Sequence, residues 1–281
     1  MCGVLFSISD VYNFENNFQS ALAETDHRGP DNSGFINLVY NKFKIFIGSN
    51  RLNIIDNDQK SNMPFVSDCG NIILIFNGEI YNFLKLKKDL EFNHNINFST
   101  ISDTEVIIYL YKIYKESLFE KLDGMFSIII YDKNLNKIIV SRDHIGEKPL
   151  YYFENGNTLI FCSEIKPIIY LLKKNNIQFN LCRLSITSYL LYGHNFERNN
   201  LFTNIKSFKP AYFLSINIDK NLNKYFQNYW PYKKDIDLKK LNNNDLVDNL
   251  DDILKQDLSK RVNSNFPVSL FFSGGLDSSL I

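Results

Sequence analysis

Short apolar runs bounded by Asn, Asp and Gly recur along the first 163 residues of the chain. They cover 2–7, 43–49, 71–76, 125–132, 137–141, 150–153 and 158–163. Their length and punctuation predict buried β-strands. Residues 128–132 and 137–141 flank Lys133-Asn134-Leu135-Asn136, which predicts a hairpin with a four-residue turn. Helical spacing interrupts this pattern twice. One helix is expected over 81–90, behind Asn77-Gly78. Another is expected over 103–116, with Val106, Tyr109, Leu110 and Ile113 on one face. Ser102 and Glu105 have the spacing of a capping box at its start. Strands with helices between them predict an α+β fold of stacked sheets with helices outside.

After residue 215 the pattern changes. Residues 216–243 are polar, rich in Lys and Asn, and include Trp230-Pro231. They read as a linker, or as a descent across the surface of the first domain. Leu246, Leu250, Ile253, Leu254 and Leu258 predict a helix over 244–262. A buried strand is expected over 267–272, followed by a Gly-rich turn and the first turn of a helix. The chain therefore divides into 1–215, 216–243 and 244–281, with no internal repeat. A strand and loop alone leave a sheet edge unpaired, so a fragment of a longer protein is expected rather than a free-standing unit.

Composition narrows the class. The chain has 281 residues, with Lys+Arg 31 against Asp+Glu 31. Zero formal charge gives no footprint for nucleic acid or an anionic membrane. At this length folding buries roughly 75% of the extended surface. Cys2, Cys69, Cys162 and Cys182 are far apart, without a Cys-x-x-Cys pair. Neither a metal site nor a disulfide framework is expected. There is no basic-then-apolar leader pattern, and no apolar stretch reaches the ~18–20 residues needed to cross a bilayer. Glycine is third rather than second, so the myristoylation pattern fails. A cytoplasmic protein is expected.

The candidate chemistry begins at Met1-Cys2-Gly3. Removing Met1 would place a thiol and a free α-amine on one residue. The amine titrates near ~7.7–8.0 and the thiol near ~8.5, so Cys2 could be a nucleophile carrying its own base. His27-Arg28-Gly29-Pro30-Asp31 reads as a turn with charged flanks. Arg51 follows a strand and suits a carboxylate held in a bidentate fork. Asn77-Gly78 reads as a tight turn or as two neutral donors for an oxyanion. Asp103 is either part of a helix cap or a partner for an ammonium.

Eight such motifs stand in the order of a known family. Met1-Cys2-Gly3, His27-Arg28-Gly29-Pro30-Asp31, Arg51-Leu52-Asn53-Ile54-Ile55-Asp56, Asn77-Gly78-Glu79-Ile80-Tyr81-Asn82 and Ser102-Asp103-Thr104-Glu105 come first. Asp123-Gly124-Met125-Phe126, Arg142 through Tyr152, and Ser163-Glu164-Ile165-Lys166 follow. Together they resemble the class II glutamine amidotransferase domain of glutamine-hydrolysing asparagine synthetases. Phe272-Ser273-Gly274-Gly275-Leu276-Asp277-Ser278 resembles the pyrophosphate loop that opens that family's synthetase domain.

The resemblance implies a four-layer αββα sandwich of N-terminal-nucleophile hydrolase type. The first helix, strand and loop of an α/β ATP-pyrophosphatase domain would follow. It also implies that Cys2 attacks the amide of glutamine while Asn77 and Gly78 hold the oxyanion. Arg51 would take the α-carboxylate, Glu79 and Asp103 the α-ammonium, and Leu52, Ile54 and Ile55 would line the site. Hydrolysis would need no cofactor. The full reaction would use ATP and Mg2+ to amidate aspartate, with Phe272, Ser273, Gly274, Gly275, Leu276, Asp277 and Ser278 at the nucleotide. No nucleic acid or membrane partner is implied, and a homodimer is among the assemblies it allows. Two other readings stay open: a relative acting on a different carboxylate acceptor, and a catalytically silent binding domain.

Overall fold

The computed structural model describes residues 2–54, 56, 58–195, 200–230, 243–262 and 267–281. In chain order the first elements are β1 (Gly3–Ser9), α1 (Glu15–Ala23), β2 (Asn32–Tyr40), β3 (Phe43–Arg51), β4 (Phe65–Val66) and β5 (Ile72–Ile80). Next come α2 (Phe83–His94), α3 (Asp103–Tyr114), β6 (Gly124–Asp132), β7 (Lys137–Arg142), β8 (Tyr151–Asn155) and β9 (Thr158–Cys162). Then follow α4 (Ile165–Lys174), α5 (Arg183–Tyr192), β10 (Ile205–Ser207), β11 (Tyr212–Ile218), β12 (Leu222–Asn228), α6 (Asn243–Arg261) and α7 (Leu276–Leu280).

Two six-stranded antiparallel sheets form, ordered β10-β8-β9-β1-β3-β2 and β12-β11-β7-β6-β5-β4. They stack face to face. Val4, Phe6 and Ile8 of β1 and Ile45 and Ile47 of β3 meet Ile73, Ile75, Ile129 and Val140 of the other sheet. The alternate residues face outward onto helices. Leu5 and Phe46 pack with Phe18 and Leu22 of α1 and with Ile168 and Leu171 of α4. Leu74, Phe76, Ile128 and Ile130 pack with Leu86 of α2 and with Val106 and Leu110 of α3. Each central strand thus feeds two cores, one residue apart, which is why it reads as an unbroken apolar run. The result is the expected αββα order of layers.

All seven strands expected in the first 163 residues form, with the four-residue turn between β6 and β7. Several elements differ from expectation. α1 was not foreseen: its buried Phe18, Ala21 and Leu22 have helical spacing, but no side chain caps its start. α4 carries Pro167, tolerated because it lies in the first turn. β2 is an edge strand whose alternation is hidden by Asn32-Ser33-Gly34. The stretch from 216 expected as linker instead begins inside β11 and continues as the exposed edge strand β12. That strand's lysine and asparagine residues face solvent rather than mark a break. Residues 231–242 of that stretch lie outside the described residues. The buried strand expected over 267–272 does not form. Those residues are exposed, up to 99% at Phe271, with no neighbouring strand among the described residues to take their backbone hydrogen bonds.

Phe161 sits in the middle of the inter-sheet core, with ring centroids 5.8–6.3 Å from Phe6, Tyr152 and Phe208. Phe161→Ala is expected to lower unfolding free energy by about 3–5 kcal/mol, read as a shift in the urea midpoint at unchanged slope.

Candidate active site

β1 lies between β9 and β3, so the start of the chain is held from both sides. Gly3 packs where an added Cβ would stand 2.5 Å from Thr25 Oγ1, which accounts for glycine after Cys2. The His27–Asp31 turn braces the same point. Arg28 Nε donates to the Cys2 carbonyl at 3.1 Å, and its Nη1 pairs with Glu164 at 3.0 Å. His27 reaches the same carboxylate at 2.9 Å. Gly29 lies flat on β3, where a Cβ would stand 2.3 Å from the Asn50 carbonyl. Asp31 accepts the Asn53 amide at 2.8 Å and so shapes the loop leaving β3.

The sulfur of Cys2 faces a pocket between the sheets' ends, 3.9 Å from the Leu52 carbonyl. Arg51, Leu52 and Ile54 line it from the end of β3; Asn77, Gly78 and Glu79 line it from β5; Asp103 lines it from the start of α3. Every described residue assigned to glutamine by resemblance meets here, while Ile55 lies outside the described residues. The loop from Phe272 to Ser278 takes no part in lining it. Asp56, Met63, Phe76, Ser102, Thr104 and Lys148 also line the pocket and were not singled out. Most of them neighbour the motif residues, so adjacency was the available signal. Lys148 stood in a quoted motif without a role.

Asn77 and Gly78 are not the turn that one reading of the sequence allowed. They lie within β5, opposite Ser127 and Phe126 of β6. A Cβ at Gly78 would fall 2.0 Å from the Met125 carbonyl, so only glycine permits this pairing. Asn77 is fully buried, yet neither its Nδ2 nor its Oδ1 has a partner. Unpaired at the wall of the pocket, this amide is available to a ligand.

Arg51 is 6% exposed. Its Nη1 donates to the Asp58 carbonyl and Asn62 Oδ1 at 3.2 and 2.8 Å, and its Nη2 donates to the Asp56 carbonyl. These contacts use three of its N–H groups. Nε–H and one Nη2–H remain among the described contacts, enough for a bidentate carboxylate. Burial pulls its pKa down, while Cys2 and nearby carboxylates oppose that.

Asp103 is fixed at the first turn of α3. Its Oδ2 accepts the Ile80 amide at 3.0 Å, and Ser102 Oγ donates to its Oδ1 at 3.4 Å. Ser102 caps the helix by accepting the Thr104 amide, but the expected capping box does not close. Glu105 turns back instead to the amides of Ser99 and Thr100, at 3.0 and 2.7 Å, and props up the loop that carries Asp103.

Burial raises both acids. The Asp103 carboxyl is pushed up to about 6, against the hydrogen bond from Ile80 and helped by the charge of Glu79. Glu79 is also raised by burial, and Lys148 opposes it. Burial likewise pushes the Cys2 thiol up, while the Leu52 carbonyl contact and Arg51 act in the other direction. The pocket thus sets a cation and two carboxylates, all desolvated, beside a protonated thiol and an unpaired amide. That charge pattern is complementary to the zwitterionic end of a free amino acid.

Comparison with known proteins agrees with this geometry. The model of the Glutamine amidotransferase domain matches residues 1–230. The chain belongs to the glutamine amidotransferase domain family. The domain is 34% identical to a glutamine-hydrolyzing asparagine synthetase of Bacillus subtilis, over 91% of this chain and 34% of the relative. It is 33% identical to a putative enzyme of the same name from Methanocaldococcus jannaschii, over 91% of this chain and 51% of the relative. A probable one from Schizosaccharomyces pombe is 32% identical over all of this chain and 44% of its own length. The chain therefore spans a third to a half of the curated relatives it matches. Among solved structures, the glutamine phosphoribosylpyrophosphate amidotransferase of B. subtilis superposes with a TM-score of 0.58. It is 21% identical, over 82% of this chain and 50% of its own, and so shares the fold.

Holding Asp103 ionised opposes folding by about 3 kcal/mol, from a rise of about two pKa units at 1.36 kcal/mol each. The cost is complete above pH 6 and fades as pH falls and the folded-state carboxyl takes its proton. Asp103→Asn is therefore expected to be more stable than the unaltered chain by about 1–3 kcal/mol at pH 7.5. The gap should close near pH 4, as measured by urea unfolding at both pH values.

Proposed function

We propose that this domain hydrolyses glutamine to glutamate and ammonia through Cys2. The observation that carries the proposal is the pocket that joins the Cys2 sulfur to the unpartnered Asn77 amide, Arg51 and Asp103. Arg51 takes the α-carboxylate through its two remaining N–H groups. Asp103 and Glu79 take the α-ammonium, and both become easier to ionise once that cation is bound.

The thiol needs a base, because burial keeps it protonated. After removal of Met1 the α-amine of Cys2 serves, with an ordinary pKa of ~7.7–8.0. It accepts the thiol proton as sulfur attacks the side-chain carbonyl carbon. Asn77 Nδ2 and the Gly78 N–H stabilise the oxyanion that forms. The α-ammonium returns the proton to the departing nitrogen, which leaves as ammonia. Water, deprotonated by the same amine, then cleaves the thioester to release glutamate and restore the thiol.

We extend the proposal to the reaction for which the relatives are named: ATP-dependent amidation of aspartate to asparagine. The names of the relatives support it. The loop at 273–279 keeps small residues, but its hydroxyls bind one another and the Gly275 carbonyl: Ser273 to Ser278 at 3.1 Å, and Ser279 to Gly275 at 2.8 Å. These residues alone do not make an anion site, and among the described residues no cluster could hold a metal. No described helix is long and apolar enough to cross a membrane. The four free cysteines suit a reducing, cytoplasmic setting.

Purified protein is expected to release glutamate from glutamine, measured by coupled dehydrogenase assay. Cys2→Ala should lower the rate by more than about 10³-fold, and Asn77→Ala should lower kcat by about 10²–10³. Unaltered release by Cys2→Ala would overturn the proposal. kcat/KM for glutamine should fall about tenfold per pH unit below ~7.7 as the α-amine gains its proton, and more steeply below about 6 as Asp103 gains its own.

A further inference from the structure

The motif from Arg142 to Tyr152 is built with unusual care for a loop remote from the nucleophile in sequence. Asp143 is 1% exposed, and its carboxylate gathers five backbone N–H groups. Oδ1 accepts those of Ile145, Gly146 and Glu147 at 3.2, 2.6 and 2.8 Å. Oδ2 accepts those of Lys148 and Phe126 at 2.9 and 3.2 Å. The Arg142 guanidinium holds the same loop from its carbonyl side, donating to Lys148 and Gly146 at 2.6 and 2.7 Å and to Phe208 at 2.8 Å. Gly146 sits at φ +79°, where a Cβ would strike Pro210 at 2.8 Å. Asp143 and Arg142 thus make nine hydrogen bonds, counting Arg142 to Ser207 Oγ, of which six hold the turn at 145–148 and three tie it to its neighbours. The turn delivers one thing to the pocket: the side chain of Lys148, 5% exposed and lining the same cavity as Cys2 and Glu79.

We propose that Lys148 is a positioning residue for glutamine, a buried cation set by the Arg142–Asp143 clamp on the wall of the same cavity as Glu79, the group that takes the substrate's α-ammonium. The proposal rests on the glutamine reading above. Desolvating Glu79 favours its neutral form, which would leave Asp103 alone against the ammonium. Lys148 is the strongest charge opposing that. In turn Lys148 is itself desolvated; Glu79, Glu147 and Asp143 favour its charge, and Arg28 disfavours it. The charge of Glu79 also acts on Asp103, and those of Arg51 and Asp103 act on Cys2. Arg51 and Lys148 line the pocket as cations and Asp56, Glu79 and Asp103 as carboxylates, so it offers a zwitterion a direction of charge.

The test compares steady-state glutaminase pH profiles of the unaltered chain, Lys148→Met and Lys148→Gln. Either variant that folds, as judged by circular dichroism, should show KM raised about tenfold at pH 7 with kcat changed less than about threefold. Its acid limb should gain a step from Glu79, which takes its proton about one pH unit higher than in the unaltered chain. In a Glu79→Gln background, Lys148→Met should add less than about twofold, because the two act as a pair. A variant that loses kcat and thermal stability while its KM and acid limb stay in place would overturn the proposal, since that is the signature of a packing role. Equal losses in the two backgrounds would also overturn it. Failure of the unaltered chain to release glutamate would remove the glutamine reading and this role with it. Activity in the unaltered chain with no change in KM and acid limb in the variants would remove only the role of Lys148.

Discussion

The hydrogen bond from Arg28 to the Cys2 carbonyl fixes where the chain begins. A polypeptide terminus is ordinarily the least ordered part of a domain. Here it enters a central strand, its second residue is pinned by a guanidinium, and that guanidinium is held by Glu164, just past the end of neighbouring β9. Gly3 and Gly29 are small because Thr25 and β3 stand against them. The turn at 27–31, the glycine after the cysteine and the acid before α4 all serve one purpose: to hold a sulfur steady at the rim of a pocket.

That pocket is assembled at a cost to the fold. Asn77 is buried without a partner, Asp103 and Glu79 are desolvated next to one another, and Arg51 is buried with donors to spare. Each would be removed by selection for stability alone. On the proposed reading a zwitterion supplies what is missing: a carboxylate for Arg51, an ammonium for the acids and a carbonyl oxygen for Asn77. The scaffold offsets the expense with three hydrophobic cores, the middle one sharing its strands with each of the outer two.

Much of the fold was legible in the sequence because the central strands are buried on both faces. Apolar runs such as 125–132 are hard to misread. The edges were not legible: β2 and β12 carry asparagine and lysine on their solvent sides, and α1 has helical spacing without a cap. The 267–272 run has the composition of a buried strand, but composition cannot supply the neighbour a strand needs. For the site, Cys2, Arg51, Asn77, Gly78, Glu79 and Asp103 were found through motif order, and the structure brings them together. Residue spacing could not show that Gly78 is required by the approach of the Met125 carbonyl in a strand, nor that Lys148, some seventy residues from Glu79, lies in the same cavity. Both depend on the pairing of β5 with β6 and on the clamp beyond it, which are long-range facts.

The most direct test is to mix the chain with glutamine, quench in acid within one turnover, and sequence its peptides by mass spectrometry. The account predicts a γ-glutamyl thioester on an N-terminal peptide that begins at Cys2, without Met1. Glutamate release with no such adduct, or with the adduct on another cysteine, would contradict it.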